Sequence, residues 1–487
     1  MSAGWQAFAR TVAGRRDHPA LLIGDETLSF GALQDLARRL AGGLHAKGVG
    51  PGDRVVLHLA NGPEASALPA ALWSLGAVPV LAPSDLRGDA LAGVAARVAA
   101  RAVISDTLAD CAAAPVWRTA GLPGEVSRAA GAGAVGSVVF TSGSTGRPKG
   151  VVQLQTTLVQ GAARVAAAVG FGAADRLLSA VPWSHDYGWT QLLALYVLGV
   201  TLVLPVAPGL AGLPEALERH RVTVLGGVPS VYAGLVRGVS DVGTRDRASV
   251  RLVMSTGSAM PQRVWEGLAA VFPTARRCLN YGLTETFRSA TLRAADEGLA
   301  PRVVGSALPG SGLCVVEDGV VLGPGEWGEI VHRGAGVFEG YWDDPGPTLL
   351  RRRVDPVTGQ GFAVFTGDRG MLDEAGRLVV GDRLDRVVKV MGRAASPLAI
   401  EEVLRGVPGV QAAAVVFRAH DILGVELHGF VVGGEVKAVE AACRAGLAPH
   451  ERPRKLHVRA ALPLTASGKV DLVALTAEIA GYLPSEQ

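Results

Sequence analysis

The chain is poor in cysteine: four in 487 residues, at Cys111, Cys278, Cys314 and Cys443. No two stand at C-x-x-C spacing. That argues against a disulfide framework and a zinc site, and a reducing cytoplasm is the simplest compartment. Charge of one sign is lacking too. Lys and Arg number 47 against 44 Asp and Glu, a formal net charge of +3. An electrostatic nucleic-acid binder concentrates basic residues on one face, so no nucleic-acid partner is expected. Long hydrophobic runs are missing as well. The longest, LLALYVLGVTLVLPVA from Leu192, is interrupted at Gly199 and Thr201 and stopped by Pro205. A membrane span needs roughly 20 residues. This run reads as a buried helix, a turn at Gly199 and a buried strand, with no membrane partner. The first residues, MSAGWQAFARTVAGRRDHPALL, lack a long apolar core after a basic start, so no secretory signal is expected there. Trp5, Phe8 and Val12 fall on one face of an ordinary first helix.

What is present points to a globular protein. Hydrophobic residues make up 49% and charged ones 19%, enough to bury a large core. At roughly 150 residues per domain the length suggests two to four domains. Short apolar runs such as RVVLHL (54–59), VPVLA (78–82), AVIS (102–105), TLVLP (201–205) and VTVLGGVP (222–229) alternate with helical patterns such as 30–48. That alternation predicts an α/β fold, with layered parallel-type sheets covered by helices. From about residue 312 short strands and turns predict a β-rich subdomain. From about 386 a smaller α+β pattern begins. The predicted division is an N-terminal domain over 1–384 and a small C-terminal domain over 385–487, meeting near Asp385.

Glycine is abundant, 64 residues with no G-X-Y period. The informative ones cluster in SVVFTSGSTGRPKGVV (137–152). A β-branched run leads into a loop holding Gly143, Gly146 and Gly150 among Thr141, Ser142, Ser144, Thr145 and Lys149. Glycines let backbone N–H groups close around phosphate oxygens, hydroxyls add donors, and a lysine adds charge. The G-x-x-G-x-x-K spacing differs from G-x-x-x-x-G-K-[ST], and VVQL after it reads as a strand.

This segment resembles the phosphate loop of the adenylate-forming superfamily, in particular its acyl- and aryl-CoA ligases. YGLTET (281–286), FTGDRG (365–370), GDRLDRVVKVMGR (381–393), ASPLAIEEVL (395–404) and PLTASGKVDL (463–472) resemble its other motifs in the same order. The resemblance implies that a carboxylic acid attacks the α-phosphate of ATP, giving an acyl-adenylate and pyrophosphate. The acyl group then passes to a thiol, that of CoA, or alternatively to a carrier-protein phosphopantetheine or an amine. Two anions must meet, so charge neutralisation and alignment carry the chemistry.

The roles implied are these. Ser142, Gly143, Ser144, Thr145, Gly146 and Lys149 cradle phosphates with Thr141. Thr145 and Glu285 hold Mg²⁺, which favours hydroxyl and carboxylate oxygens. Tyr281 stacks on adenine, Gly282 and Thr284 beside it bind the nucleotide, and Thr286 lies near the α-phosphate and the acid. Asp368 accepts the ribose hydroxyls, and Arg383 contacts ribose or phosphate. Asp385 is the hinge on which the mobile small domain rotates. Lys469 is the catalytic lysine that contacts both the acid and the α-phosphate. Two positions depart from the pattern: Asp382 replaces the glycine of the hinge motif, and Leu472 replaces a basic residue in the last one.

The acid pocket is read from VPWSHDYGWTQLL (181–193). His185 takes the place where amino-acid-activating relatives carry an aspartate, which points to an acid lacking an α-ammonium; Asp186 next door keeps an amino acid open. Trp183, Tyr187 and Trp189 suit a flat aromatic acid or serve as core. By the same resemblance Val228, Ser230, Gly257 and Ser258 line the pocket. The expected protein is a cytoplasmic monomer or homodimer.

Overall fold

The computed structural model describes residues 2–84, 86–108, 110–122, 135–141, 148–207, 209–299, 301–384, 386, 388–390, 393–420, 424–465 and 470–480. Two sheets and the helices packed on them build the first 380 residues. The smaller has seven strands, in the order Gly340–Tyr341, Lys149–Leu154, Val135–Thr141, Val78–Leu81, Arg54–Leu57, Ala102–Ile104, Val116–Trp117. Its apolar runs pair in parallel, as continuous buried patterns do, while Val135–Thr141 and Lys149–Leu154 form an antiparallel hairpin.

The larger sheet has fifteen strands. One half is mainly parallel, with Thr201–Leu204, Arg176–Ser179, Val224–Gly227, Leu252–Ser255 and Arg276–Tyr281 side by side. At Tyr281 the sheet changes character. Ala290–Thr291 pairs antiparallel with Arg276–Tyr281, and antiparallel strands follow through Val303–Ala307, Leu378–Arg383, Phe362–Leu372, Gly328–Gly334 and Ser311–Glu317. The β-rich stretch expected from 312 is therefore hydrogen-bonded into the same sheet as the α/β part. This join places Tyr281, Asp368 and Arg383 near one another.

The main core lies among helices Ala3–Arg15, Phe30–Ala46, Pro63–Leu75 and Asp186–Leu198 and the sheets they cover. Trp5, Phe8 and Val12 are buried on the first of these, as the periodicity predicts. Asp186–Leu198 is apolar nearly all round and ends at Gly199, φ 75°, before the strand Thr201–Leu204. Trp73 meets both Trp189 and Tyr196 edge-on, a geometry worth about 1 kcal/mol per pair beyond area burial. No helix among the described residues is long and apolar enough to cross a membrane.

The C-terminal residues have an apolar cluster of their own, including Ile400, Leu404, Val415, Val431 and Val439. It covers a three-stranded sheet of Val410–His420, Gly424–Gly433 and Lys455–Arg459. Polar contacts join this unit to the large one. Arg302 pairs with Glu402, and Arg263 donates to the Gly406 carbonyl at 2.7 Å.

Candidate active site

Thr141 and Lys149 face each other across the base of the hairpin. Ser142, Gly143, Ser144, Thr145 and Gly146 lie outside the described residues, as do Asp385, Gly392 and Lys469. The stem nevertheless fixes where the loop emerges. The Lys149 ammonium sits 5.2 Å from the centre of the Tyr341 ring, a cation–π contact. The Tyr341 hydroxyl donates to Glu285 Oε1 at 2.6 Å. Phosphate-loop stem and acidic residue are thus linked through one aromatic side chain. Nothing in the sequence marks Tyr341; its place becomes visible only because the strand Gly340–Tyr341 pairs with the loop strand. Burial and the Glu285 charge push the Tyr341 hydroxyl far above its usual range. It stays a donor, and only Glu285 Oε1 is committed to it.

Glu285 sits in a 3₁₀ turn, Thr284–Thr286, held from both sides. Gln153 donates to the Thr284 carbonyl at 2.6 Å, and Phe338 N–H to the Glu285 carbonyl at 3.0 Å. The Thr286 hydroxyl is fully buried and satisfied locally: it accepts from Leu283 N–H and from the Ser289 hydroxyl. It organises the turn itself. Gly282 is required by close packing, since a Cβ there would stand 2.9 Å from Arg288 Cα.

Across the sheet join, Asp368 is buried on strand Phe362–Leu372 directly opposite Arg383. Its Oδ2 accepts from the Tyr281 hydroxyl at 2.6 Å and its Oδ1 from Arg383 at 3.2 Å. Gly367, at φ 71°, turns the strand here, and its N–H donates to Glu329. Burial, with the Asp368 charge behind it, holds the Tyr281 hydroxyl protonated.

The acid side is more mixed. His185 caps the helix Asp186–Leu198, and both His185 and Asp186 are half-buried. Gly257 and Ser258 are exposed on the loop after Leu252–Ser255, and Val228 caps the helix Pro229–Val236, which carries half-buried Ser230. Trp189 is packed in the core against Trp73, fully buried. A small cavity of about 20 Å³ is lined by Tyr187, Gln191, Met254, Asn280, Phe287 and Arg288 among others. Of the seven residues expected at the pocket, His185, Asp186, Trp189, Val228, Ser230, Gly257 and Ser258, none is among its lining. Their neighbours Tyr187 and Gln191 are.

Asp382, the departure from the hinge pattern, is also buried. It accepts from the Ser396 hydroxyl and from Leu398 N–H at 3.0 Å, at the start of helix Pro397–Gly406. Burial raises its carboxyl above the usual range.

A carboxylate facing a tyrosine and an arginine, beside a second carboxylate at the stem of a glycine–hydroxyl loop, suits a nucleotide triphosphate. The AMP-binding enzyme model matches residues 8–342, and the AMP-binding enzyme C-terminal domain model matches 399–469. The chain belongs to the adenylate-forming superfamily. It is 30% identical to 2-succinylbenzoate–CoA ligase of Geobacillus kaustophilus, over 93% of each chain. Similarity to long-chain-fatty-acid–CoA ligase FadD13 of Mycobacterium tuberculosis is 27% identity, over 99% of each. Among solved structures, O-succinylbenzoate coenzyme A synthetase of Bacillus subtilis, in complex with ATP and magnesium ion, superposes with a TM-score of 0.86. That pair is 25% identical, covering 96% of this chain and 99% of the other. The chain is accordingly an AMP-forming carboxylic acid ligase.

Membership gives the Asp368 arrangement a measurable consequence. Asp368→Ala removes the carboxylate that accepts from the Tyr281 hydroxyl and from Arg383, the group that the family resemblance assigns to the ribose. A hydrogen bond to a charged group contributes about 1.5–3 kcal/mol. The KM for ATP is therefore expected to rise roughly 10- to 100-fold, with the KM for the acid little changed. Initial rates at varied ATP measure this.

Proposed function

We propose that the chain uses ATP with Mg²⁺ to convert a carboxylate into an acyl-adenylate, releasing pyrophosphate, and then forms a CoA thioester with release of AMP. The observation that carries this is the hold of Tyr281 and Arg383 on Asp368 at the sheet join, with Glu285 in the turn that follows Tyr281 and bonded to Tyr341 beside the loop stem. Asp368, flanked by Tyr281 and Arg383, receives the ribose and leaves the adenine beside the Tyr281 ring. Glu285, tied through Tyr341 to the stem carrying Lys149, faces the phosphates.

Glu285 fits a magnesium site. Mg²⁺ takes hard oxygen ligands and is commonly held by one or two carboxylates plus substrate phosphates. No group of three or more metal-ligating side chains occurs among the described residues, so the phosphates and the Thr145 hydroxyl would complete the shell. Bound there, the ion would supply charge neutralisation at the nucleotide phosphates. Lys149 adds positive charge at the loop, and Thr141 and the loop N–H groups hold the phosphates in line for attack. Lys469 brings a cation to the acid and the α-phosphate. It arrives with the C-terminal unit, which we take to start near Asp385. Its polar contacts with the large unit support rotation, because surface ion pairs contribute only about 0–1 kcal/mol.

His185 at a helix start, where amino-acid-activating relatives carry an aspartate, supports an acid without an α-ammonium. The stretch ASPLAIEE (395–402) resembles the CoA ligases, which favours CoA over a carrier protein or an amine, in a cytoplasmic setting. The test is to incubate the protein with ATP and an acid panel, with CoA, an amine or neither, and to identify products by mass. A CoA thioester with AMP and pyrophosphate is expected. An amide with CoA ignored would overturn the acceptor, and absence of pyrophosphate exchange over the whole panel would overturn acid activation.

A further inference from the structure

Arg288 is 3% exposed, yet among the described residues no carboxylate lies within ion-pair distance of it. Its Nη1 donates to the Thr256 hydroxyl at 2.8 Å, its guanidinium lies 5.3 Å from the Tyr187 ring centre, and its Nε has no acceptor. Asn280 Oδ1, on the same cavity wall, is likewise buried without a donor. A buried charge is costly unless paired, and native proteins rarely leave one so. An aromatic face and one hydroxyl offset only part of that cost.

The backbone is bent to put Arg288 there. Phe287 has φ 59° and ψ −57°, and Arg288 N–H donates to the Thr286 carbonyl at 2.6 Å. This is a γ-turn with positive φ at a bulky residue, rare and strained. The surroundings hold it in place: the Phe287 ring packs where a Cβ on Gly161 would lie, 2.6 Å away, and Gly282 leaves room for the Arg288 backbone. The guanidinium adjoins all three stretches read as binding the acid: Tyr187 follows His185, Thr256 precedes Gly257, and Arg288 follows Thr286. Arg288 lines a cavity of about 20 Å³, room for about one water.

We propose that the acid this enzyme activates carries a second carboxylate, and that Arg288 is the specificity-determining residue that binds it. This rests on the acid-activation reading above. The free carboxylate supplies the missing counter-charge, with the guanidinium offering Nε and its outer N–H groups as a two-pronged donor. A monoacid would leave that charge buried and unpaired, so the site selects against it.

The test is pyrophosphate exchange by the full chain with short aliphatic and benzoic dicarboxylic acids. Each is matched to its half-amide and to the monoacid bearing methyl in place of the second carboxylate. The expected kcat/KM is about 100-fold higher for the diacid than for either analogue. Arg288→Met is expected to erase that ratio, mainly through the KM for the diacid and with the KM for ATP unmoved, and Arg288→Lys to restore part of it. A thermal melt confirms that each variant is folded. Equal rates with diacid and half-amide, or an unchanged ratio in Arg288→Met, overturn the proposal. Exchange with monoacids alone overturns it while acid activation stands. Exchange with no acid at all overturns both.

Discussion

Glu285→Gln is expected to lower the rate of adenylation at fixed Mg²⁺ by about 100-fold and to raise the Mg²⁺ concentration needed for half-maximal rate. The substitution isolates charge from shape. A glutamine keeps an oxygen that can accept from the Tyr341 hydroxyl, now made at 2.6 Å to Glu285 Oε1. The backbone contacts that hold the turn, Gln153 to Thr284 and Phe338 to Glu285, do not involve the side chain. Folding stability should therefore stay close to that of the parent, while the anion proposed to hold Mg²⁺ is gone. A magnesium titration of pyrophosphate exchange separates the two roles open to Glu285. A rightward shift supports the metal role. An unchanged midpoint with a simple loss of stability would make Glu285 a structural partner of Tyr341 instead. Tyr341→Phe supplies the contrast. It frees Glu285 Oε1 without changing the carboxylate count, so its effect should be much the smaller.

How much of this was legible in the sequence differs from element to element. The hairpin around the phosphate loop was, because a β-branched run, a glycine–hydroxyl loop and VVQL each have strong local preferences, and the strands Val135–Thr141 and Lys149–Leu154 follow. The helix ending at Gly199 was legible for the same local reason. The meeting of Tyr281 with Asp368, 87 residues apart, was not accessible to periodicity at all. Only the resemblance of YGLTET and FTGDRG to a known family implied it. Trp189 shows the opposite failure. A helix apolar on every side has no moment to say which face looks into a pocket, so an aromatic in a pocket motif and an aromatic in the core read alike. Tyr341 and Arg288 escaped notice because neither residue type nor spacing marks them. What matters about them is burial without a charged partner, or a bond to a residue 56 positions away. Those are properties of packing between elements.

The largest effect belongs to Lys469. Lys469→Ala is expected to lower adenylation by roughly 10²–10³-fold, while largely sparing transfer of the acyl group from a supplied adenylate to the thiol. The asymmetry follows from where charge changes. In the first half-reaction a carboxylate approaches an α-phosphate already carrying negative charge, and the transition state shares that charge between them. A cation placed between the two lowers this barrier specifically. In the second half-reaction the bond to phosphate is already made and AMP departs, so a lysine bridging acid and phosphate has no comparable task. Lys469 lies outside the described residues, but its flanks are tied. Leu464 pairs with Val470, and Asp471 N–H donates to the Pro463 carbonyl at 2.8 Å. The flanking residues Leu462, Val470 and Leu472 pack with Ala414, Val416 and Phe430 of the C-terminal unit, so on the proposed reading the lysine is delivered by that unit. Asp382 bears on the docking. Its bonds to Ser396 and Leu398 fasten the end of strand Leu378–Arg383 to the first helix of that unit, where the family pattern has glycine. Two assays on one variant decide the assignment. Normal ATP–pyrophosphate exchange in Lys469→Ala would remove the lysine from the chemistry, and equal loss in both half-reactions would make its role structural.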